Sequence, residues 1–363
     1  MSAKRELHFF LGANTPNGFY SLYDRLYLPD RHLYIIKGGP GCGKSSFMRK
    51  IAAEVSKCGY LTEYIHCSGD PDSLDAVCFP ELGVSYADGT APHVLEPRCP
   101  GAGQSYIDLG SFYDLTALAP HREDMEALIK RGSGAYARAY SLLKASCAVG
   151  ALPCPGEETV SAVLKRADGF IRREIRRNTD SPAPSLTERF LDAVTCRGHI
   201  VLFQTAHALA EKIFVLDGTP ELSSLFLDRI AAASLERGWK VVRCPSPLAP
   251  AKTGHVLLPE LKLGFISDSE PGSRCRHIRL ASLARRHGDL PLPPPLRRLS
   301  AALMSDAESA FSEAKKIHDE LEALYNPHVD FKGVYELASR HTAALLKAAE
   351  PAGSLLDNPE DIC

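Results

Sequence analysis

No apolar run in this 363-residue chain approaches the length of a membrane span. Neither charge sign dominates. The 42 Lys and Arg against 44 Asp and Glu leave a net charge of −2, with a pI near 6.7, so no basic footprint for nucleic acid is present. The cysteines form no C-x-x-C pair. Their number, eleven, is odd, and Met1-Ser2-Ala3-Lys4-Arg5-Glu6 leads into no signal-peptide core. Scattered, unpaired thiols in a long chain point to a reducing compartment. These absences argue against a membrane protein, a nucleic-acid binder and a disulfide scaffold, and the expected location is the cytoplasm.

What the chain does have is Gly38-Gly39-Pro40-Gly41-Cys42-Gly43-Lys44-Ser45, a full match to G-x-x-x-x-G-K-[ST]. The apolar run Leu33-Tyr34-Ile35-Ile36 precedes it and reads as a buried strand. Phe47, Ile51 and Val55 follow at helical spacing, and Gly59 is placed to end that helix. Glycines let a backbone take positive φ and approach phosphate oxygens closely, so loop N–H groups converge on an anion at a helix N-terminus. In this reading Lys44 reaches the β- and γ-phosphates, the Ser45 hydroxyl ligates Mg²⁺, and Ser46 adds a contact to the α-phosphate. The expected ligands are therefore ATP, or another nucleoside triphosphate, and Mg²⁺. Cys42 occupies a position where the pattern accepts any residue, and an oxidation-sensitive thiol is the alternative.

The chain also repeats itself. A shift of 180 aligns Phe10 with Phe190, Leu11 with Leu191, Ala13 with Ala193, Thr15 with Thr195 and Gly18 with Gly198. It further aligns Leu22 with Leu202, Gly38 with Gly218 and Pro40 with Pro220. Unrelated sequence would give about two such identities over this stretch, and so long a period marks duplicated domains. One residue is then lost, and at a shift of 179 Ile51-Ala52-Ala53 meets Ile230-Ala231-Ala232, while Pro80-Glu81-Leu82 meets Pro259-Glu260-Leu261. The loss falls in the phosphate loop. The second copy reads Gly218-Thr219-Pro220-Glu221-Leu222-Ser223-Ser224-Leu225, with Asp217 in place of Lys37. Glu221 puts a carboxylate where phosphate would sit, and like charges at close range oppose binding. The strand Ile213-Phe214-Val215-Leu216 survives.

The expected fold is α/β: two tandem phosphate-loop NTPase-like domains, residues 1–180 and 181–363, each a parallel sheet flanked by helices and followed by a helical pair. The pairs are expected at 122–148 with 157–177, and at 303–325 with 333–349; Asn178 to Ser185 reads as the linker. Such an enzyme needs a carboxylate near Mg²⁺ at the end of a neighbouring strand. Asp88, closing Leu82 to Ala87, is the first candidate, although Asp88-Gly89 is also a turn pair in its own right. The stretch His66-Cys67-Ser68-Gly69-Asp70-Pro71-Asp72-Ser73-Leu74-Asp75 offers further acids, or alternatively a helix entry capped by Asp72 or Ser73. The second copy has Cys244-Pro245-Ser246-Pro247-Leu248 there, without acids. His93 is a loop histidine open to structural or chemical readings, and Arg189, Arg197, Arg229 and Arg243 are unranked arginine-finger candidates.

The chain resembles an uncharacterised bacterial family of tandem-repeat phosphate-loop ATPases. The stretches that carry the likeness are His8-Phe9-Phe10, Thr15-Pro16-Asn17-Gly18-Phe19-Tyr20, Lys37 to Met48, His66-Cys67-Ser68, Asp72-Ser73-Leu74-Asp75, Asp88-Gly89-Thr90-Ala91-Pro92-His93 and Ile317-His318-Asp319-Glu320-Leu321-Glu322. The resemblance implies ATP binding in a phosphate-loop NTPase fold and names no substrate. Such proteins usually keep the loop in both halves, and this sequence departs at Glu221 to Leu225. The leading expectation is Mg²⁺-dependent ATP hydrolysis in the first half, with Lys44 and Asp88 as the catalytic pair and the second half docked against it. The rivals are a kinase acting on a small acceptor and an ATP-gated switch or scaffold with little catalysis.

Overall fold

The computed structural model describes residues 5–179, 183–268, 270 and 275–349; part of the 178–185 linker and the 180/181 boundary lie outside these. The first half contributes strands β1 (Glu6–Phe10), β2 (Gly12–Thr15), β3 (Gly18–Ser21), β4 (His32–Lys37), β5 (Thr62–His66), β6 (Leu74–Phe79), β7 (Val84–Asp88) and β8 (Gln104–Asp108). Its helices are α1 (Lys44–Lys57), α2 (Leu115–Leu118), α3 (Arg122–Gly150) and α4 (Glu157–Glu174). The second half supplies β9 (Leu186–Glu188), β10 (Asp192–Thr195), β11 (Gly198–Val201), β12 (Lys212–Leu216), β13 (Val241–Ser246), β14 (Ala249–Leu258), β15 (Leu263–Ile266) and β16 (Arg276–Ile278). Its helices are α5 (Phe203–Leu209), α6 (Pro220–Glu236), α7 (Leu280–Arg286), α8 (Pro294–Tyr325) and α9 (Phe331–Ala349).

The duplication read from the sequence reappears as topology. One six-stranded sheet runs β1-β5-β6-β7-β4-β8 and the other β9-β13-β14-β15-β12-β16, the same order in matching elements. Both sheets are mixed, which corrects the expected parallel sheet. β6 is antiparallel to β5 and β7, as β14 is to β13 and β15. The reason is connection length: β6 reaches β7 through four residues, the turn Pro80–Leu82 and Gly83, far too few for the crossover that a parallel neighbour requires. The alternative helix entry capped by Asp72 or Ser73 does not form: Leu74 to Phe79 is a fully buried strand.

The two sheets meet through equivalent residues. Phe10 and Phe190 exchange backbone hydrogen bonds, each N–H donating to the other's carbonyl at 2.9 Å. Asn14 donates to the carbonyl of Val194, its own counterpart, at 2.8 Å. Pairing of a position with its own repeat is the mark of a two-fold relation, here within one chain. Phe10, Leu11 and Ala13 are fully buried against Phe190, Leu191 and Ala193 in a core common to both halves.

The helical pairs form close to where the periodicity places them, but they cross between the halves. α3 and α8 lie antiparallel, joined by Arg131–Glu320 and Arg138–Glu313 at their surface and by Ala139, Leu143, Ala310 and Phe311 beneath. α9, from the end of the second half, packs Val334 and Ala338 onto α1 and the first sheet. α4, from the first half, packs Val163, Ala167 and Phe170 onto α6 and the second sheet. The two contacts are built alike. Tyr34 stacks on Tyr86 at 4.8 Å, with His341 of α9 edge-on at 5.1 Å. Their counterparts Phe214 and Phe265 stack at 5.2 Å, with Phe170 of α4 edge-on at 5.0 Å. Each sheet is thus covered by a helix that follows the other sheet in sequence or precedes it across the linker.

Two consequences are measurable. The whole chain should unfold in one cooperative transition, with coincident fluorescence and circular-dichroism curves. Phe170→Ala, which removes a ring at 6% exposure, should cost about 3–5 kcal/mol in chemical denaturation. Two separate transitions, with the variant moving only one of them, would contradict the exchanged-helix architecture.

Candidate functional site

The glycine-rich segment folds as strand, loop and helix, with Gly38 to Gly43 joining β4 to α1. Gly41 and Gly43 take φ of +68° and +86°, which a side chain would resist. The loop is tightly lined as well. A Cβ at Gly38 would lie 2.6 Å from Cys42 Sγ, and one at Gly41 would lie 2.5 Å from Asn326 Oδ1. Tyr113 closes one side by donating its hydroxyl to the Pro40 carbonyl at 2.8 Å. Cys42 is buried, and burial pushes its thiol up from the ordinary range; the oxidation-sensitive alternative finds no support in that environment.

Lys44 opens α1 and folds back over the loop. Its Nζ donates to the carbonyls of Gly38 and Gly39, each at 2.9 Å, and lies 3.6 Å from Asp88 Oδ2. Asp88 ends β7, the parallel neighbour of β4, in register with Ile36. Its Oδ1 accepts from the Thr90 N–H at 2.9 Å and the Thr90 hydroxyl at 2.6 Å. The Asp88-Gly89 turn and the lysine contact therefore coexist, and the two readings of this acid are not exclusive. Ser45 Oγ accepts from the Leu74 N–H at 2.9 Å, which leaves its proton and a lone pair for other partners. Ser46 is half-buried in the first turn of α1.

The other acids divide. Asp75 is buried, accepts from the Tyr23 hydroxyl at 2.8 Å and lies 4.0 Å from His93 Nε2. Burial raises its carboxyl above the usual range. His93 stacks on Tyr23 at 4.4 Å. Asp70 pairs with Lys315 at 3.3 Å, and Asp72 with Arg197. Both cations come from the second half. Of the four arginine candidates, Arg197 is the one brought to the acids after β5. Arg189 pairs with Glu63, Arg229 with Asp168 and Arg243 with Glu188. Sequence reading missed the α8–α9 junction as a wall of the site. Glu322 borders Gly41, whose N–H helps to hold the Glu322 carboxylate ionised after the larger effect of His318. Phe331 and Val334 border Gly43. No local signal in either segment announces that contact.

In the second copy the loop has become helix. α6 begins at Pro220, with the Thr219 hydroxyl capping the N–H of Leu222 at 3.4 Å. At the shift of 179, α1 begins three residues later. Thr219 as cap and Pro220 in the first turn favour this early start. The added turn stands in place of the open loop, and Lys252 pairs with Glu221. The framework survives around it: Ser224, counterpart of Ser45, accepts from the Thr253 N–H at 3.0 Å just as Ser45 accepts from Leu74. Asp88 is replaced by Ser267. A cleft of about 650 Å³ opens beside Gly218 and Thr219, with Asp217 in its wall. No family model, curated protein or solved structure matches this chain.

The strand entering the acidic loop carries a pH-sensitive pair. His66 Nδ1 donates to the Pro71 carbonyl at 2.8 Å, so its Nε2 accepts from His8 Nδ1 at 2.9 Å. Burial drives the His66 imidazole down to about 4, against the pull of the Pro71 carbonyl, with His8 and Arg49 adding to the depression. An unfolded histidine titrates near 6.5. As pH falls from about 6.5 toward about 4, the unfolded chain gains a proton that the folded chain refuses, so stability is lost across that window. Denaturant midpoints measured from pH 7 to 4 should fall less steeply in His66→Gln than in wild type. Parallel slopes would show that His66 does not contribute.

Proposed function

We propose that the first half binds ATP with Mg²⁺ at Gly38 to Ser46 and hydrolyses it, and that the second half is a non-binding partner domain. The observation that carries this reading is the meeting of a positive-φ glycine loop, Lys44 and a strand-end acid: Lys44 Nζ touches two loop carbonyls and lies 3.6 Å from Asp88. That donor set fits a metal–triphosphate ligand. Loop amides and a lysine offer positive charge to phosphate, and the Ser45 hydroxyl and Asp88 carboxylate offer oxygens to a hard cation. When bound, Mg²⁺ would neutralise charge on the phosphates. Lys44 would exchange the Gly38 and Gly39 carbonyls for phosphate oxygens and stabilise charge that develops there. Tyr113, Phe331 and the α8–α9 junction would limit water at the loop. The resemblance to tandem-repeat phosphate-loop ATPases agrees with this reading.

A switch reading has one specific observation behind it. The wall facing Gly41 is Glu322, near the end of α8, and Asn326, just after it, both in the second half, so a ligand at the loop would press on that half directly. The two readings differ in whether turnover matters.

Nucleotide binding and ADP release with and without Mg²⁺ test the proposal. Lys44→Ala should weaken ATP binding by about ten- to a hundredfold, the value of a charge-assisted contact. Asp88→Asn should retain nucleotide binding and lower Mg²⁺-dependent turnover by about a hundredfold or more. Wild-type protein that shows neither binding nor turnover would reject the site. ADP release that requires an added acceptor would turn the assignment to a kinase.

A further inference from the structure

The second half carries a polar cluster where the first half has none. Asp192 on β10 and His199 on β11 lie diagonally on one face of their hairpin, since Val194 is the direct partner of His199. His199 Nε2 is 2.7 Å from Asp192 Oδ2. Asp268 follows the end of β15, and its carboxylate, the His199 ring nitrogen and the Asp192 carboxylate all lie within 4.8 Å of one another. Among the described residues this is the one group of three His, Cys, Asp or Glu side chains so arranged. Behind it stands His255, paired in register with Ile266 on β15. His255 Nδ1 accepts from the Ser267 N–H at 3.3 Å, so its Nε2–H donates to Asp192 Oδ1 at 3.1 Å. That bond fixes the orientation of Asp192 and leaves Oδ2 facing His199.

The internal repeat gives an independent reason to regard the cluster as built. Asp192, His199, His255 and Asp268 correspond, at shifts of 180 and 179, to Gly12, Phe19, Ala76 and Gly89. In the first half those positions pack tightly and apolarly. A Cβ on Gly12 would lie 2.4 Å from the Phe19 ring, and one on Gly89 would lie 2.4 Å from Ile35. Four positions on three separate segments differ together and converge on one point. Charge balance says what they would hold. His255 serves as a neutral donor, so a single imidazole, His199, faces Asp192 and Asp268. The Glu308 carboxylate of α8 adds to their field, 3.4 Å from where a Cβ on Gly198 would lie.

We propose that Asp192, His199 and Asp268 form a site for a divalent first-row cation of the Mn²⁺ or Zn²⁺ class, which ties the β10–β11 hairpin to the end of β15. A mixed imidazole and carboxylate donor set suits that class. The 2.7 Å contact between His199 Nε2 and Asp192 Oδ2 is a hydrogen bond that a bound ion would replace, with the Asp268 carboxylate within 4.8 Å of both. Asp192, buried at 4% exposure and held from behind by His255, has the outer-shell support of a metal ligand. His199 is partly exposed, with 37% of its side-chain surface open, which gives the ion a way in.

The test is a Mn²⁺ titration of the nucleotide-free full chain, with free Mn²⁺ read by electron paramagnetic resonance. Because no nucleotide is added, the outcome does not depend on the phosphate-loop reading. One equivalent should bind to wild type, and His199→Gln and Asp268→Asn should each weaken it by about tenfold or more. Both variants change solvent-accessible side chains, and circular dichroism checks that they fold. Asp88→Asn should leave this binding intact, and Mn²⁺ should raise the thermal midpoint of wild type but not of the two site variants. Wild type without a bound equivalent, unchanged affinity in both site variants, or loss of binding in Asp88→Asn would each overturn the proposal.

Discussion

The rest of the molecule depends on how each sheet keeps its apolar face out of water. A six-stranded sheet carrying rings such as Tyr34 and Tyr86, or Phe214 and Phe265, must be covered. In both halves α1 or α6 does part of this, and a helix from across the linker does the rest. Burying a ring contributes about 1.5–3 kcal/mol, and edge-on aromatic geometry adds up to about 1.5 kcal/mol more. The surface pairs along α3 and α8 contribute at most about 1 kcal/mol each. The exchange of α4 and α9 therefore couples the halves through apolar burial, with the surface pairs setting register. Neither half completes its core with the helices that directly follow its own strands.

This exchange also places the phosphate loop at a junction. Its floor is β4 and its front is α1, both from the first half. Its wall near Gly41 is Asn326 and Glu322, from the second. Two of the nearby acids, Asp70 and Asp72, are already paired with second-half cations. The second copy has no comparable loop, because a threonine cap and a proline start its helix a turn early. The packing pattern of that copy needed only apolar positions, which substitution preserves readily. The loop conformation of the first copy rests on Gly41 and Gly43 at positive φ, and the second copy, one residue shorter there, has no glycine at the matching positions.

Much of this was legible in the sequence because it is local. The loop, its flanking strand and helix, the helical pairs and the repeat all follow from spacing and residue type. Asp88 was found by the same logic, as an acid ending a strand. What could not be read was non-local. Nothing in Leu74 to Phe79 distinguishes an antiparallel strand from other short apolar runs; the four-residue connection from Pro80 to Gly83 was the clue to its direction. The crossing of α4 and α9 leaves no trace in either helix, since an apolar stripe fits either sheet equally well. Asp192 and His199 are close in sequence, but Asp268 reaches them through sheet order, and the pattern of changes becomes visible only when the two repeats are superposed residue by residue.

The geometry of α8 bears on whether the two halves can act on each other. The helix has 32 residues, about 48 Å at the usual rise. Near its C-terminal end Glu322 and Asn326 meet the phosphate loop. Fourteen residues earlier, about 21 Å along the axis, Glu308 lies beside Gly198 and the Asp192–His199 cluster. Between them Ala310, Ala314 and Ile317 are packed against α3. Any shift of α8 driven from the loop would be limited by how differently a ligand there contacts two positions of the helix. The loop meets the end of α8 at Gly41, which lies against Glu322 and against Asn326 just beyond the helix. That contact, more than any feature of the second copy's own segment at Gly218 to Leu225, is where the second half meets the loop of the first.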